Sequence, residues 1–253
     1  MVEGIRAVYF DLDDTLCGYW DASKIALQRV FERHTPAGHV AQDMVRHWAA
    51  AFRGFAPTLK KTGWYEGYLQ KAEPTRTEQM RLTLERIGVQ DPELAAKLSQ
   101  AYMEERDNAL SLFPDSIQVI ETLRQHFPLG LITNGPADLQ RQEIATLGIG
   151  HYFQNIFIEG EMGEGKPSKA VFDRAALVVD CRPHEVLMVG NSYEHDVRAA
   201  LENGWHAVWI RRGSDVPPSA GGEDPRPEGL PPGAPEPDAV IGSLSELLPL
   251  LGL

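Results

Sequence analysis

Val8-Tyr9-Phe10-Asp11-Leu12-Asp13-Asp14-Thr15-Leu16-Cys17 decides the reading of the chain. Apolar β-branched and aromatic residues run into three carboxylates within four positions, the pattern of a buried strand, Ile5 to Phe10, that ends in a tight acidic loop. In open α/β sheets ligands sit at the carboxyl ends of the strands, where these acids fall. Asp11 and Asp13 have the chemistry of a nucleophile, a proton donor or a hard-cation ligand. Taken alone, Asp11 to Asp14 read equally well as a polar turn capping a helix.

Working outward, the apolar spacing turns helical from Gly18 to about Leu112, as in Lys24 to Phe31 and Asp43 to Phe52. The aromatics there, such as Trp48 and Phe52, read as packing rather than a cofactor site. From Pro114 onward strands and helices alternate. Helices are expected over Pro114 to His126, Leu139 to Leu147, Ser168 to Val179, Glu194 to Glu202 and Leu244 to Leu251. Strands are expected over Leu129 to Asn134, Ile156 to Ile158, Val186 to Val189, His206 to Ile210 and Ala239 to Ile241. The pattern predicts a doubly wound parallel α/β sheet built from residues 1–17 and 113–253, with an all-helical insertion over 18–112. Arg212 to Asp238, rich in Pro and Gly, reads as a mobile loop or linker.

The 253 residues suffice for a full hydrophobic core, and 36 acids against 24 bases give a net charge of -12. That charge argues against nucleic acid or an anionic membrane as partner. With no apolar run of about 20 residues and no signal-peptide pattern at Met1-Val2-Glu3-Gly4, a cytoplasmic protein is expected. Cys17 and Cys181 read as free thiols, Cys17 packed behind the acidic loop.

Three more loops follow expected strands or open an expected helix. Thr133-Asn134-Gly135 offers a hydroxyl, an amide and a glycine N–H, donors suited to oxyanions, or a plain Asn-Gly turn. Gly160 to Ser168 looks like a phosphate-binding loop, but Pro167 stands where Ser or Thr should follow the lysine, and Glu161 and Glu164 would repel phosphate. What survives is Lys166, a compact positive charge at a helix start. Gly190-Asn191-Ser192-Tyr193-Glu194-His195-Asp196 brings an amide and a carboxylate to the same sheet edge. It lacks the second glycine of a serine-hydrolase elbow, and His195 reads as capping or solvent-facing.

Together these stretches resemble the haloacid dehalogenase superfamily, in particular its phosphatases with a helical cap after the first motif. The likeness covers almost the whole chain: Asp11 to Thr15, Thr133-Asn134, Lys166-Pro167, and Gly190-Asn191 to Asp196 match in order and spacing. Ile132 to Gln140, with Tyr152-Phe153 and Gly160-Glu161, looks most like the branch of pyrimidine 5'-nucleotidases and N-acylneuraminate-9-phosphatase.

The resemblance implies a Rossmann-like core, a cap over 18–112 and Mg²⁺-dependent hydrolysis of a small phosphomonoester, a nucleotide or sugar phosphate. Asp11 is then the nucleophile that forms an aspartyl-phosphate, and Asp13 the general acid and base, its carboxyl expected to titrate above the usual range. Thr133, Asn134, Gly135 and Lys166 would bind the phosphoryl oxygens. Thr15 would shape the loop, and Asp11, Asp13, Asn191 and Asp196 would hold Mg²⁺. The chain departs from the pattern at Asn191, where these phosphatases usually carry an acid, so weaker Mg²⁺ binding is expected, tightened by Asn191→Asp. A 2-haloacid dehalogenase and a catalytically idle phospho-ligand-binding protein are the alternatives. The oligomeric state is left open by the sequence.

Overall fold

The computed structural model describes residues 2–220 and 230–253. Among them the chain divides into two compact units. One comprises the segment ending at Gly18, Ser111–Asp215 and the C-terminal segment ending at Leu253. The other comprises Tyr19–Leu110 and a segment starting at Val216.

The first unit is a sheet with helices between its strands. Strand β1 (Ala7–Phe10) is followed, after the other unit's helices, by β2 (Leu129–Thr133), β3 (Asn155–Ile158), β4 (Val186–Gly190), β5 (His206–Ile210) and β6 (Ala239–Ile241). Their order is β3-β2-β1-β4-β5-β6, and every neighbouring pair is parallel. Helices covering both faces of a parallel sheet explain why Ala7 to Phe10 is apolar at every position and fully buried, with no alternation. Phe10 pairs with Leu131 on one side and Val189 on the other, so the loops after β1, β2 and β4 leave the sheet side by side. This edge adjoins the point where the strand order reverses, which is where doubly wound sheets place their ligands.

The second unit is helical: α1 (Tyr19–His34), α2 (Ala41–Phe55), α3 (Trp64–Gln70), α4 (Glu73–Glu85) and α5 (Pro92–Ala109). Leu27, Phe31, Met44, Trp48, Met80, Leu84 and Leu98 form its core. Trp48 stacks on Phe52 at 5.1 Å, so these aromatics serve packing. Asp91 caps α5 by accepting from the Leu94 N–H.

In the first unit, α6 (Ser116–Leu123) starts later than expected, because Asp115 is its N-terminal flank and Pro114 lies outside it. The helices α7 (Ala137–Leu147), α8 (Glu159–Met162), α9 (Lys169–Val178), α10 (Ala199–Glu202) and α11 (Leu247–Leu250) complete the unit. Gly148, at φ 69°, closes α7 in the left-handed conformation that glycine adopts freely. Helix α9 begins at Lys169, so Lys166 stands on the preceding loop rather than at a helix start. The expected helix from Glu194 is a π-helical turn, Tyr193–Arg198, running into α10.

Of the Pro/Gly-rich stretch 212–238, residues 221–229 lie outside those described. Upstream, Arg212, Asp215 and Ser219 are buried, which corrects the expectation of a mobile linker there. Arg53 donates to the Ser219 carbonyl within the helical unit. No helix among the described residues is long and apolar enough to cross a membrane.

Candidate active site

Asp11 follows β1 directly, and its N–H donates to the Val189 carbonyl of β4, which fixes the root of the acidic loop. The loop then tightens. Asp14 adopts φ 58° and is buried, and the Leu12 carbonyl accepts from Leu16 N–H at 2.9 Å. Cys17, a buried thiol, lies behind it as expected, 3.6 Å from the Leu12 carbonyl.

Lys166 is the centre of the charge arrangement. Its Nζ is 2.7 Å from Asp11 Oδ1 and 2.6 Å from Asp196 Oδ1, with the lysine side chain 2% exposed. Burial alone would pull the ammonium down, but the two carboxylates outweigh it and hold it above its ordinary range. Asp11 moves to about 6: burial raises it most, Asp196 adds to the rise, and Lys166 opposes it. One ammonium between two buried carboxylates leaves an excess negative charge.

The loop after β2 positions Lys166 through its backbone. Asn134 Nδ2 donates to the Lys166 carbonyl at 2.6 Å, and Asn134 Oδ1 accepts from the Lys166 N–H at 2.8 Å. A side chain at Gly165 would come within 2.5 Å of Asn134 Oδ1, so only glycine permits this approach. Asp196 is set by the π-turn. Its Oδ2 accepts from Ser192 N–H at 2.9 Å, and a Cβ at Gly190 would collide with it at 2.3 Å. Such turns are rare and recur at functional sites.

Two expected oxyanion donors are already engaged. The Thr133 hydroxyl donates to Gln140 Oε1 at 2.6 Å, and the Gly135 N–H donates to Glu159 Oε2 at 3.0 Å. Neighbouring acceptors on α7 and α8 hold both.

Gln140 was not singled out by the sequence. Its Nε2 donates to Asp13 Oδ2 at 3.1 Å and to buried Glu143 Oε2 at 2.9 Å. It thus ties Asp13, through Thr133, to the end of β2. Arg212 was missed as well: its Nε donates to the Thr15 carbonyl at 3.2 Å and its Nη2 to Asp115 Oδ1 at 3.0 Å. The Thr15 hydroxyl donates to Asp11 Oδ2 at 3.1 Å, accepts from the Asn191 N–H at 3.1 Å, and lies 3.4 Å from Asn191 Oδ1. His195 is exposed, with Nδ1 at 3.0 Å from Ser192 Oγ.

The oxygen set of Asp11, Asp196 and Asn191 with the Asp13 backbone carbonyl is hard and carries net negative charge, which fits Mg²⁺. Among the described residues no three His, Cys, Asp or Glu side chains gather as a metal cage. An ion here would therefore keep several waters, as Mg²⁺ does.

Comparison with known proteins is consistent with this geometry. The model of the family described as haloacid dehalogenase-like hydrolase matches residues 5–204. A phosphoserine phosphatase of Thermus thermophilus is 31% identical, over 96% of this chain and 98% of its own. The N-acylneuraminate-9-phosphatase of Rattus norvegicus is 25% identical, over 98% of this chain and 94% of its own. Among solved structures, the magnesium-bound putative HAD-hydrolase YfnB from Bacillus subtilis superposes with a TM-score of 0.72. It is 21% identical and covers 98% of this chain and 99% of that one, a likeness of fold.

Proposed function

The chain belongs to the haloacid dehalogenase-like hydrolases, and from that premise we propose that it is a Mg²⁺-dependent phosphatase acting on a small phosphomonoester. The observation that carries this reading is Lys166 bridging Asp11 and Asp196 where β1 and β4 end, with Asp13 held beside them by Gln140. The residues 18–112 act as the cap that selects the substrate, a nucleotide or sugar phosphate.

Asp11 attacks phosphorus in line with the leaving oxygen. The P–O bond to the substrate breaks as the bond to Asp11 forms, so one slow hydrolysis becomes two easier displacements. Asp13 gives its proton to the leaving alkoxide, which departs as an alcohol. It then takes a proton from water, whose oxygen attacks phosphorus and restores the Asp11 carboxylate. Gln140 keeps the Asp13 carboxyl in place through both steps. Lys166 and the Asn134 N–H stabilise the phosphoryl oxygens where charge accumulates. Asp11, Asp196, Asn191 and the Asp13 carbonyl would hold Mg²⁺, which would offset the repulsion between a phosphate and its carboxylate attacker.

The test is hydrolysis of p-nitrophenyl phosphate. The expected result is turnover that needs Mg²⁺, stops with a chelator and is lost in Asp11→Asn; wild-type protein without turnover on a panel of phosphomonoesters would overturn the reading. The amide at Asn191 favours one second reading, hydrolysis of a 2-haloacid by the same Asp11 attacking carbon. Release of halide without added metal would support it, and Asp13, which that reaction leaves without a role, speaks against it.

A further inference from the structure

An amide side chain carries an acceptor on one side and a donor on the other, and a half-turn exchanges them. Which side Asn191 turns toward Asp11 decides whether it helps or opposes a cation. Asp215, only 7% exposed, accepts from Asn191 Nδ2 at 2.9 Å through its Oδ2. An ionised carboxylate can only accept, so the amide NH₂ must face Asp215. Asn191 Oδ1 then lies 3.4 Å from the Thr15 hydroxyl oxygen, which is itself 3.1 Å from Asp11 Oδ2. The Trp209 indole N–H donates to the Asn191 carbonyl at 2.8 Å and fixes the backbone there, so the side chain has this one choice left.

We propose that Asp215 is a positioning residue of the cation site, which holds Asn191 with its amide oxygen toward Asp11 and supplies, one hydrogen bond further out, the negative charge an amide lacks. This rests on the Mg²⁺-phosphatase reading above. A carboxylate accepting from the NH₂ also polarises the amide and makes its oxygen a better donor to a cation. The inference changes the expectation drawn from sequence for Asn191→Asp. That exchange sets two carboxylates at hydrogen-bond distance, and their repulsion offsets the charge gained. Exchanging both residues restores the same hydrogen bond with donor and acceptor reversed.

Mg²⁺ alone is titrated calorimetrically into metal-free wild-type protein, Asp215→Leu, Asp215→Asn, Asn191→Asp and the double variant Asn191→Asp/Asp215→Asn. The proposal expects Mg²⁺ binding weakened by about 10- to 100-fold in Asp215→Leu. It expects weaker binding in Asp215→Asn, no gain in Asn191→Asp, and recovery to wild-type affinity or better in the double variant. A merely structural Asp215 would not be rescued by a second substitution at Asn191. Binding by both Asp215 variants within about twofold of wild type, or a double variant no tighter than Asp215→Asn, overturns the proposal. If Asp215→Leu fails to fold, the isosteric Asp215→Asn and the double variant decide. Wild-type protein that neither binds Mg²⁺ nor hydrolyses p-nitrophenyl phosphate removes the phosphatase reading itself, a result distinct from failure at Asp215 alone.

Discussion

The ammonium of Lys166 lies 2.7 Å from the Asp11 carboxylate, in a contact made by two loops that follow different strands. Asp196 closes on the same nitrogen from the π-turn that follows β4. Three segments that follow different strands are therefore joined at one cation. Removing it affects both the chemistry and the fold.

Lys166→Met leaves Asp11 and Asp196 facing one another in a buried site. Taking one partner from a buried ion pair costs about 3–5 kcal/mol. Urea unfolding in the presence of a chelator should show a loss of that order, and saturating Mg²⁺ should return part of it, since the ion binds only the folded protein. Turnover should not return with the stability, because the phosphoryl oxygens have lost their donor.

Asp11 titrates at about 6, raised by burial and by Asp196. Mg²⁺ and a proton compete for the same carboxylate, so Mg²⁺ affinity should be full above about pH 7 and fall about tenfold per unit below 6. Metal-free protein shows the same shift in its stability. The folded carboxyl holds its proton more tightly than the ordinary 3.8, so this stabilisation is complete below that value and lost as pH rises through about 6. Calorimetric Mg²⁺ titrations at pH 5 and 7.5 measure the first effect. The second appears as a pH-dependent difference in thermal midpoint between chelated wild type and Asp11→Asn.

Gln140→Leu keeps the side-chain volume and removes the donor to Asp13 and Glu143. Asp13 then loses its orientation, so kcat should fall about 10- to 100-fold, the scale of losing a positioned acid–base group in part. KM should change little, because Gln140, buried at 2% exposure, is not among the groups proposed to bind substrate. A proportional rise in KM instead would assign Gln140 to substrate binding.

What the sequence made legible is confined to single loops. Asp11, Lys166 and Asp196 stand at the ends of apolar runs, and a parallel sheet brings such ends to one edge whatever lies between them. The end of α7 and the start of β5 were legible for a similar reason: Gly148 and Asn203-Gly204 stop the preceding helices by local chemistry. Gln140, Arg212 and Asp215 were not legible. Each acts on a residue far away in sequence, and nothing in the spacing of polar residues on α7 or in a Pro-rich stretch marks that partner. The π-turn at Tyr193–Arg198 was hidden because its residues suit an ordinary helix; the wider turn is carried by the backbone, where the Val197 N–H donates to the Ser192 carbonyl. Nor did the sequence mark Gln140 and Glu159 as the acceptors of the Thr133 hydroxyl and the Gly135 N–H.

Gly130 in β2 has no side chain because the Tyr9 ring of β1 lies where one would be, 2.1 Å from an added Cβ. The ring is fully buried and anchored by its hydroxyl, which donates to the Ala175 carbonyl at 2.8 Å. Gly130→Ala should cost about 1–3 kcal/mol or more through overpacking. Tyr9→Leu should relieve part of it, so the double variant should be more stable than the sum of the two singles by chemical denaturation.

Arg212 connects the acidic loop to the far end of the chain. It donates to the Thr15 carbonyl and to Asp115, while Asp115 accepts from Ser243 Oγ at 2.8 Å and Leu244 N–H at 2.6 Å. Burial alone would raise the Asp115 carboxyl, but these donors hold it below its ordinary value. The guanidinium also lies over the Phe113 ring, 3.8 Å from its centroid. Arg212→Lys keeps the charge for Asp115 yet cannot reach the Thr15 carbonyl and Asp115 together. Stability should therefore fall by about 1.5–3 kcal/mol, as for one lost hydrogen bond to a charged group. Turnover should fall further than stability accounts for, because the acidic loop is freed just after Asp13. Comparing kcat at saturating Mg²⁺ with the urea midpoint separates the two effects. Equal losses in both would reduce Arg212 to a structural tie.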